Sequence, residues 1–255
     1  MQENRLLEAM PVADRDRVVA IARRLDLEVK TVLFEPGKPV ENVYFPFDGV
    51  ISLVTPLEDG SIVEVATVGN EGVVGVPLIA GGTLAVRAIC QVRGAGVQVP
   101  AGAFLAELAQ NPALRDVVDR YVPALFGQIA QAAACNRLHT NEERLSRWLL
   151  MSHDRVGLDE FSITHEFLGQ MLGSRRATVT LSAGILQAAG LIRYHRGRLT
   201  IVDREGLEEV ACECYAAIKA ELDGALTVHP SSNGHSANGH SSNGHSSNGH
   251  SSNGH

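Results

Sequence analysis

The run from Ile163 to Val202 constrains the fold most. Thr164 precedes a short helical run, His165–Leu172, Gly173 offers a sharp turn, and Ser174 precedes a second helical run that stops at Gly190. Hydroxyl residues cap helix starts and glycine ends helices, so the pattern predicts two short helices joined by a tight turn. That arrangement is a helix-turn-helix, whose second helix meets a DNA major groove N-terminus first. Next come Leu191-Ile192-Arg193-Tyr194, the turn His195-Arg196-Gly197-Arg198, and Leu199-Thr200-Ile201-Val202, which read as a two-stranded wing.

Charge gives this segment its chemistry. Between Thr164 and Val202 the single acid is Glu166, against Arg175, Arg176, Arg193, Arg196 and Arg198, whereas the whole chain carries a net charge of −7. With no protein-wide positive field, affinity for nucleic acid has to be local. The predicted helix tip presents Ser174, Arg175, Arg176 and Thr178. Arginine forks to guanine O6 and N7 or clamps phosphate, and hydroxyls with free helix-end amides suit phosphate oxygens. Thr164 and His165, at the first turn of the preceding helix, join Arg193, Arg196 and Arg198 of the wing as expected contacts to duplex DNA. Winged helices also mediate protein contacts, and arginines also form plain solvated faces, so a sensing module acting on a protein partner is the alternative.

Upstream, Asn141 is the expected cap of a helix Glu142–Ser152 with Leu145, Trp148 and Leu149 on one face. From Pro112 to about His139, Leu114, Val118, Tyr121, Leu125, Gln128, Ala132 and Cys135 recur in steps of four and three. Such a seam fits a helix pairing with its own copy, the alternative being a helix packed on its own sheet. Pro123 inside it removes a backbone hydrogen bond and favours a kink. Between Glu28 and Val99, β-branched runs (Val29–Phe34, Val50–Thr55, Ile62–Val68, Leu84–Val92) alternate with Pro36-Gly37, Asp48-Gly49, Asp59-Gly60 and Gly81-Gly82, the texture of a small β-roll or sandwich. Pro11–Leu25, with Val18, Ile21 and Leu25 at helical spacing, predicts a short amphipathic helix. The fold class is therefore α+β: an N-terminal sensor-like β-roll over 1–111, a dimerisation helix over 112–140, a winged helix-turn-helix over 141–226, and a tail over 227–255. That tail repeats SSNGH, cannot bury a core and is expected to be disordered; its regularly spaced histidines lack the fixed geometry of a metal site.

Other classes find little support. Hydrophobic residues make 45% and charged residues 20% of the chain, an ordinary soluble balance. The apolar stretch Tyr121–Asn136 is too short for a bilayer and contains Gln128 and Gln131, so no membrane partner is expected. Cys90, Cys135, Cys212 and Cys214 form no Cys-x-x-Cys pair and follow no secretory leader, which suggests a reducing, cytoplasmic setting. Cys135 reads as a small core hydrophobe. His139, His153, His165 and His195 are scattered, with no metal-spaced pair and no nucleophile elbow, so neither enzyme activity nor a metal or other cofactor is expected.

The run Ile163-Thr164-His165-Glu166-Phe167-Leu168-Gly169-Gln170-Met171-Leu172-Gly173, with Arg176-Ala177-Thr178-Val179 and Leu186…Gly190-Leu191-Ile192, resembles the helix-turn-helix of the CRP/FNR family of bacterial regulators. Phe34-Glu35-Pro36-Gly37, Asp48-Gly49-Val50 and Gly72–Arg87 are similar to that family's cyclic-nucleotide-binding-like β-roll. The resemblance implies a homodimer with paired central helices, two recognition helices about 34 Å apart on a near-palindromic operator, an effector or redox signal at the β-roll, and an effect on RNA polymerase. Arg87 matches the arginine of the family's phosphate cassette, but the cassette's Gly-Glu is here Gly75-Val76, so cyclic AMP is not the expected effector. The N-terminal cysteines of the family's iron–sulfur sensors are missing. Arg176 aligns with the first base-reading arginine, while Ala177 and Leu181 replace a usual Glu and Arg, which implies a different operator.

Overall fold

Glycine and proline turns divide the β-branched N-terminal half into short strands that pair antiparallel as two facing sheets. The computed structural model describes residues 3–75 and 85–227. Strands β1 (Arg23–Leu27), β7 (Gly94–Pro100) and β3 (Asn42–Pro46) form one sheet in the order β1-β7-β3. Strands β2 (Val32–Phe34), β6 (Arg87–Val92), β4 (Val50–Pro56) and β5 (Ile62–Val68) form the other, in the order β2-β6-β4-β5. Val43, Phe45, Val50, Ile51 and Val68 are fully buried, and Phe45 meets Phe104 edge to face at 5.9 Å. Asp59-Gly60 turns the β4–β5 hairpin with Gly60 at φ +82°, a conformation natural to glycine.

Three strands of the roll escape the sequence pattern: β1, β3 and β7. The expected helix Pro11–Leu25 ends at Ala20, and Leu25 lies in β1 opposite Gly96. A further short helix, α1 (Arg5–Glu8), capped by Asn4, precedes α2 (Val12–Ala20). The Gly81-Gly82 turn, Val76 and the SSNGH tail lie outside the described residues.

Helix α3 (Ala101–Gln110) leads into α4 (Pro112–Leu138), which Asn111 caps and which continues through Pro123. The seam expected to face a second copy is occupied within the chain. Leu114, Val118 and Cys135 are fully buried, and Tyr121, Leu125, Gln128 and Ala132 are buried with them. They pack on β5 and on a C-terminal helix, α9 (Cys214–Leu226), that runs along α4. The four-three periodicity is real; the surface that satisfies it is the chain's own sheet and C-terminal helix, because any apolar face serves equally to fill such a stripe.

Helix α5 (Asn141–Val156) begins with a capping box. Thr140, not Asn141, is the cap, its side chain accepting from the Glu143 amide while Glu143 accepts from the Thr140 amide at 2.7 Å. Beyond α5 lie β8 (Glu160–Ser162), α6 (His165–Met171), α7 (Arg176–Ala188), β9 (Ile192–His195), β10 (Arg198–Ile201) and α8 (Arg204–Val210), so two helices, α8 and α9, follow the wing. One hydrophobic core joins the β-roll, α4 and this C-terminal part. Where they meet, the Arg155 guanidinium donates to Glu71 Oε1 at 2.9 Å and Thr67 Oγ1 at 2.7 Å, and Gln128 donates to the same hydroxyl at 3.1 Å. A Cβ on Gly69 would stand 2.5 Å from the Arg155 side chain, so glycine is what lets the guanidinium stem pass.

Candidate nucleic-acid interface

Helix α5 positions the helix-turn-helix by hydrogen bonds to its turn. Buried Arg144 donates to the Leu172 carbonyl and to Asn136 Oδ1. Ser174 Oγ donates to Asn141 Oδ1 at 2.5 Å, and Ser182 Oγ to Glu142 Oε1 at 2.7 Å. Ser174 therefore ties the turn to α5 instead of capping the next helix. Arg175 occupies the cap position of α7 and gives no side-chain cap bond. The turn itself depends on two glycines. Gly173 sits at φ +57°, and a Cβ on Gly169 would come within 2.8 Å of the Ser174 carbonyl. Thr164 caps α6 as expected, its oxygen accepting from Phe167 N at 3.2 Å.

The outward face of α7 carries Arg176, Ala177, Thr180, Leu181 and Ile185, while Val179, Ser182, Ala183 and Leu186 point inward. Thr178 is only partly exposed. Thr180, absent from the expected contacts, belongs to this face because it stands three residues beyond Ala177 on the helix. Leu181 is 69% exposed, an apolar group free to meet a thymine methyl.

The wing is three-stranded, β8-β10-β9, because Glu160–Ser162 adds an edge too short to show in the pattern. Its tip is a two-residue turn with Arg196 at φ +48° and Gly197 at φ +80°, the left-handed pair that hairpins of this length require. Arg196 and Arg193 are exposed. Arg198 Nη1 lies 3.1 Å from Glu160 Oε1, an acid just outside the window in which the sequence showed only Glu166. Among the described residues Arg175, Arg176, Arg193 and Arg196 form no ion pair.

His165, expected near phosphate, makes its contacts within the protein. Its Nδ1 is 2.9 Å from Thr180 Oγ1, its ring stacks on Tyr194 with centroids 4.1 Å apart, and its buried Nε2 has no partner. Burial first, then the neighbouring Arg176 charge, lower its pKa, so the ring is neutral at physiological pH. It joins α6 to α7 through Thr180 and to β9 through Tyr194.

At the other expected site, Gly75 has φ +118°, and a Cβ there would stand 2.8 Å from the Val43 side chain. Arg87 Nε lies 2.9 Å from Glu35 Oε2, so this guanidinium already has a carboxylate partner within the roll. No helix among the described residues is long and apolar enough to cross a membrane.

Residues 143–210 match the Crp-like helix-turn-helix domain. A global nitrogen regulator of Synechococcus elongatus is 28% identical over 194 residues, covering 71% of this chain and 85% of that protein. Its counterpart in Nostoc is 26% identical over 182 residues, covering 68% and 81%. The fold is that of FixK2 from Bradyrhizobium japonicum, with a TM-score of 0.65 at 15% identity over 75% of this chain and 98% of that one. It is equally that of a CRP/FNR-family regulator from Eubacterium rectale, with a TM-score of 0.62 at 16% identity over 80% and 96%.

Proposed function

Since this chain is a transcription regulator of the CRP/FNR type, we propose that it reads duplex DNA with Arg175, Arg176, Thr178, Thr180 and Leu181 of the α7 tip while Arg193, Arg196 and Arg198 of the wing hold phosphate. One observation carries the reading: four arginines without carboxylate partners project from α7 and the wing of an acidic protein. Unpaired surface guanidiniums free to neutralise phosphates are what counterion release from a duplex requires. Arg196 keeps a left-handed backbone at the wing tip, where glycine or asparagine is easier, and the phosphate contact accounts for arginine there. Thr164, Ser174 and His165 hold the reading elements in register rather than meeting bases.

The protein acts in the cytoplasm as a homodimer on a near-palindromic operator and alters transcription through RNA polymerase. The inward seam being filled, the pairing surface is the opposite face of α4, where Phe126 is 71% and Leu138 is 74% exposed. Cyclic AMP is not the effector, a reading that the Arg87–Glu35 ion pair supports. A signal received in the β-roll reaches α7 through contact, since Ile62 and Val63 of β5 line one cleft with Arg175 and Arg176.

Selection of bound fragments from a random duplex pool, at low and at physiological salt, tests the proposal. Enrichment of an inverted repeat with salt-dependent affinity is expected. Failure to retain any duplex at low ionic strength overturns it.

A further inference from the structure

A second cluster lies far from α7. Cys135 and His139 stand one turn apart at the end of α4, and Cys212 and Cys214 flank the start of α9, 77 and 75 residues later in the pairs they form. The four donor atoms all lie within 4.8 Å of one another. Cys135 Sγ is 3.6 Å from Cys212 Sγ, and Cys214 Sγ is 3.5 Å from His139 Nδ1. The three thiols are buried in a small cluster of their own, apart from the main core, and the His139 side chain is 16% exposed.

We propose that Cys135, His139, Cys212 and Cys214 bind one zinc(II) ion in a tetrahedral site of three sulfurs and one nitrogen. Zinc bond lengths of about 2.3 Å to sulfur and about 2.0–2.1 Å to imidazole set donor separations of about 3.5–3.8 Å around a tetrahedral ion, the spacing these pairs already have. Soft thiolates with one imidazole select zinc over magnesium or calcium. A four-iron cluster puts each thiolate on a separate iron and needs the donors spread more widely, so a single ion is the better fit. The surroundings are those of a metal site too. His139 turns Nδ1 to the thiols while Nε2 lies 3.3 Å from Glu213 Oε2, the carboxylate-to-imidazole contact that orients a ligating histidine. Gln131 Nε2 donates to Cys214 Sγ at 3.0 Å, as thiolate sulfur accepts. Four protein ligands close the site, which marks it as structural. The ion fastens α9 to the end of α4, beside the His139–Thr140 junction from which α5 departs. The sequence holds both halves, Cys-x-x-x-His and Cys-x-Cys, but only folding brings them together; Cys135 is not a lone core cysteine.

The test uses the full-length reduced protein, so that the histidines of the SSNGH repeat are present in every sample. Titration with cobalt(II) is expected to give one equivalent with intense thiolate-to-metal charge-transfer absorption and tetrahedral visible bands, displaced by zinc. Tail histidines alone cannot produce the charge-transfer band. Cys212→Ser and Cys214→Ser each lower its intensity and weaken cobalt binding, and the double variant abolishes it, with circular dichroism confirming that the chain remains folded. Glu213→Gln, at an exposed position, keeps the band but weakens metal affinity about 10–100-fold. The proposal is overturned by a reduced parent with no charge-transfer band, by a band that survives both cysteine substitutions or ignores Glu213→Gln, by an iron–sulfur chromophore in the purified protein, or by a Cys135–Cys212 disulfide formed in place of metal uptake.

Discussion

Arg155 Nη2 lies 2.8 Å from Glu71 Oε1, with both side chains about 5% exposed. This pair joins α5, to which the helix-turn-helix is hydrogen-bonded, to the loop after β5. Removing one partner of a buried ion pair leaves an uncompensated charge and costs about 3–5 kcal/mol, whereas replacing both by apolar groups is often neutral. Glu71→Ala is therefore expected to lower stability by that amount in denaturant unfolding, and Glu71→Leu with Arg155→Met to recover most of it. A loss below 1 kcal/mol for the single variant refutes the role.

Arg176→Ala is expected to weaken binding to the selected operator by about 1–3 kcal/mol and to relax preference at one position of each half-site. Competition gel shifts against single-base operator variants provide the check; unchanged selectivity removes Arg176 from base reading.

In the wing, Arg196→Ala is expected to lower affinity uniformly across sequences and to reduce the salt slope by about 1. Arg198→Ala changes the slope less, because Glu160 already neutralises part of that charge, and Glu160→Gln steepens it. Salt titrations showing Arg198 equal to Arg196 contradict this ranking.

The two faces of α4 are expected to respond oppositely to lysine. Phe126→Lys, on the outward face, yields a folded monomer in sedimentation. Leu125→Lys places a charge where the native side chain is 6% exposed, so it destabilises the fold itself by about 3 kcal/mol or more. A parent that sediments as a monomer rules out the dimer.

Glu64 makes the fold pH-sensitive. Its carboxyl accepts from Ser52 Oγ at 2.7 Å and Trp148 Nε1 at 3.2 Å, and burial pushes it up from the ordinary 4.5 to about 7 against the pull of Ser52, Arg147 and Arg155. The folded chain thus holds this proton more tightly than the unfolded chain. Its contribution is complete below about 4.5, falls as pH rises from about 4.5 to about 7, and is level above that. The expected loss is about 3 kcal/mol across this window. Glu64→Gln should flatten that part of the stability profile, and a variant with the parent's slope assigns it elsewhere.

Some features were legible because they are local. Thr164, Gly173 and Gly190 fix helix ends, Arg196-Gly197 fixes a turn, and five arginines against Glu166 fix the sign of a surface, all from neighbours in the chain. Short strands such as Glu160–Ser162, whose partners lie tens of residues away, leave too little pattern to read.

The sequence by itself determined the α+β class, the helix-turn-helix with its wing and the basic character of that segment, since caps, turns and charge act over a few residues. Tertiary structure alone decided what covers the Leu114–Cys135 stripe, that His165 stacks on Tyr194, that Glu160 pairs with Arg198, and that Cys135 and His139 meet Cys212 and Cys214. Periodicity fixes which side of a helix is apolar, but its partner is settled by which distant surface fits when the chain closes on itself, and no local pattern records that choice.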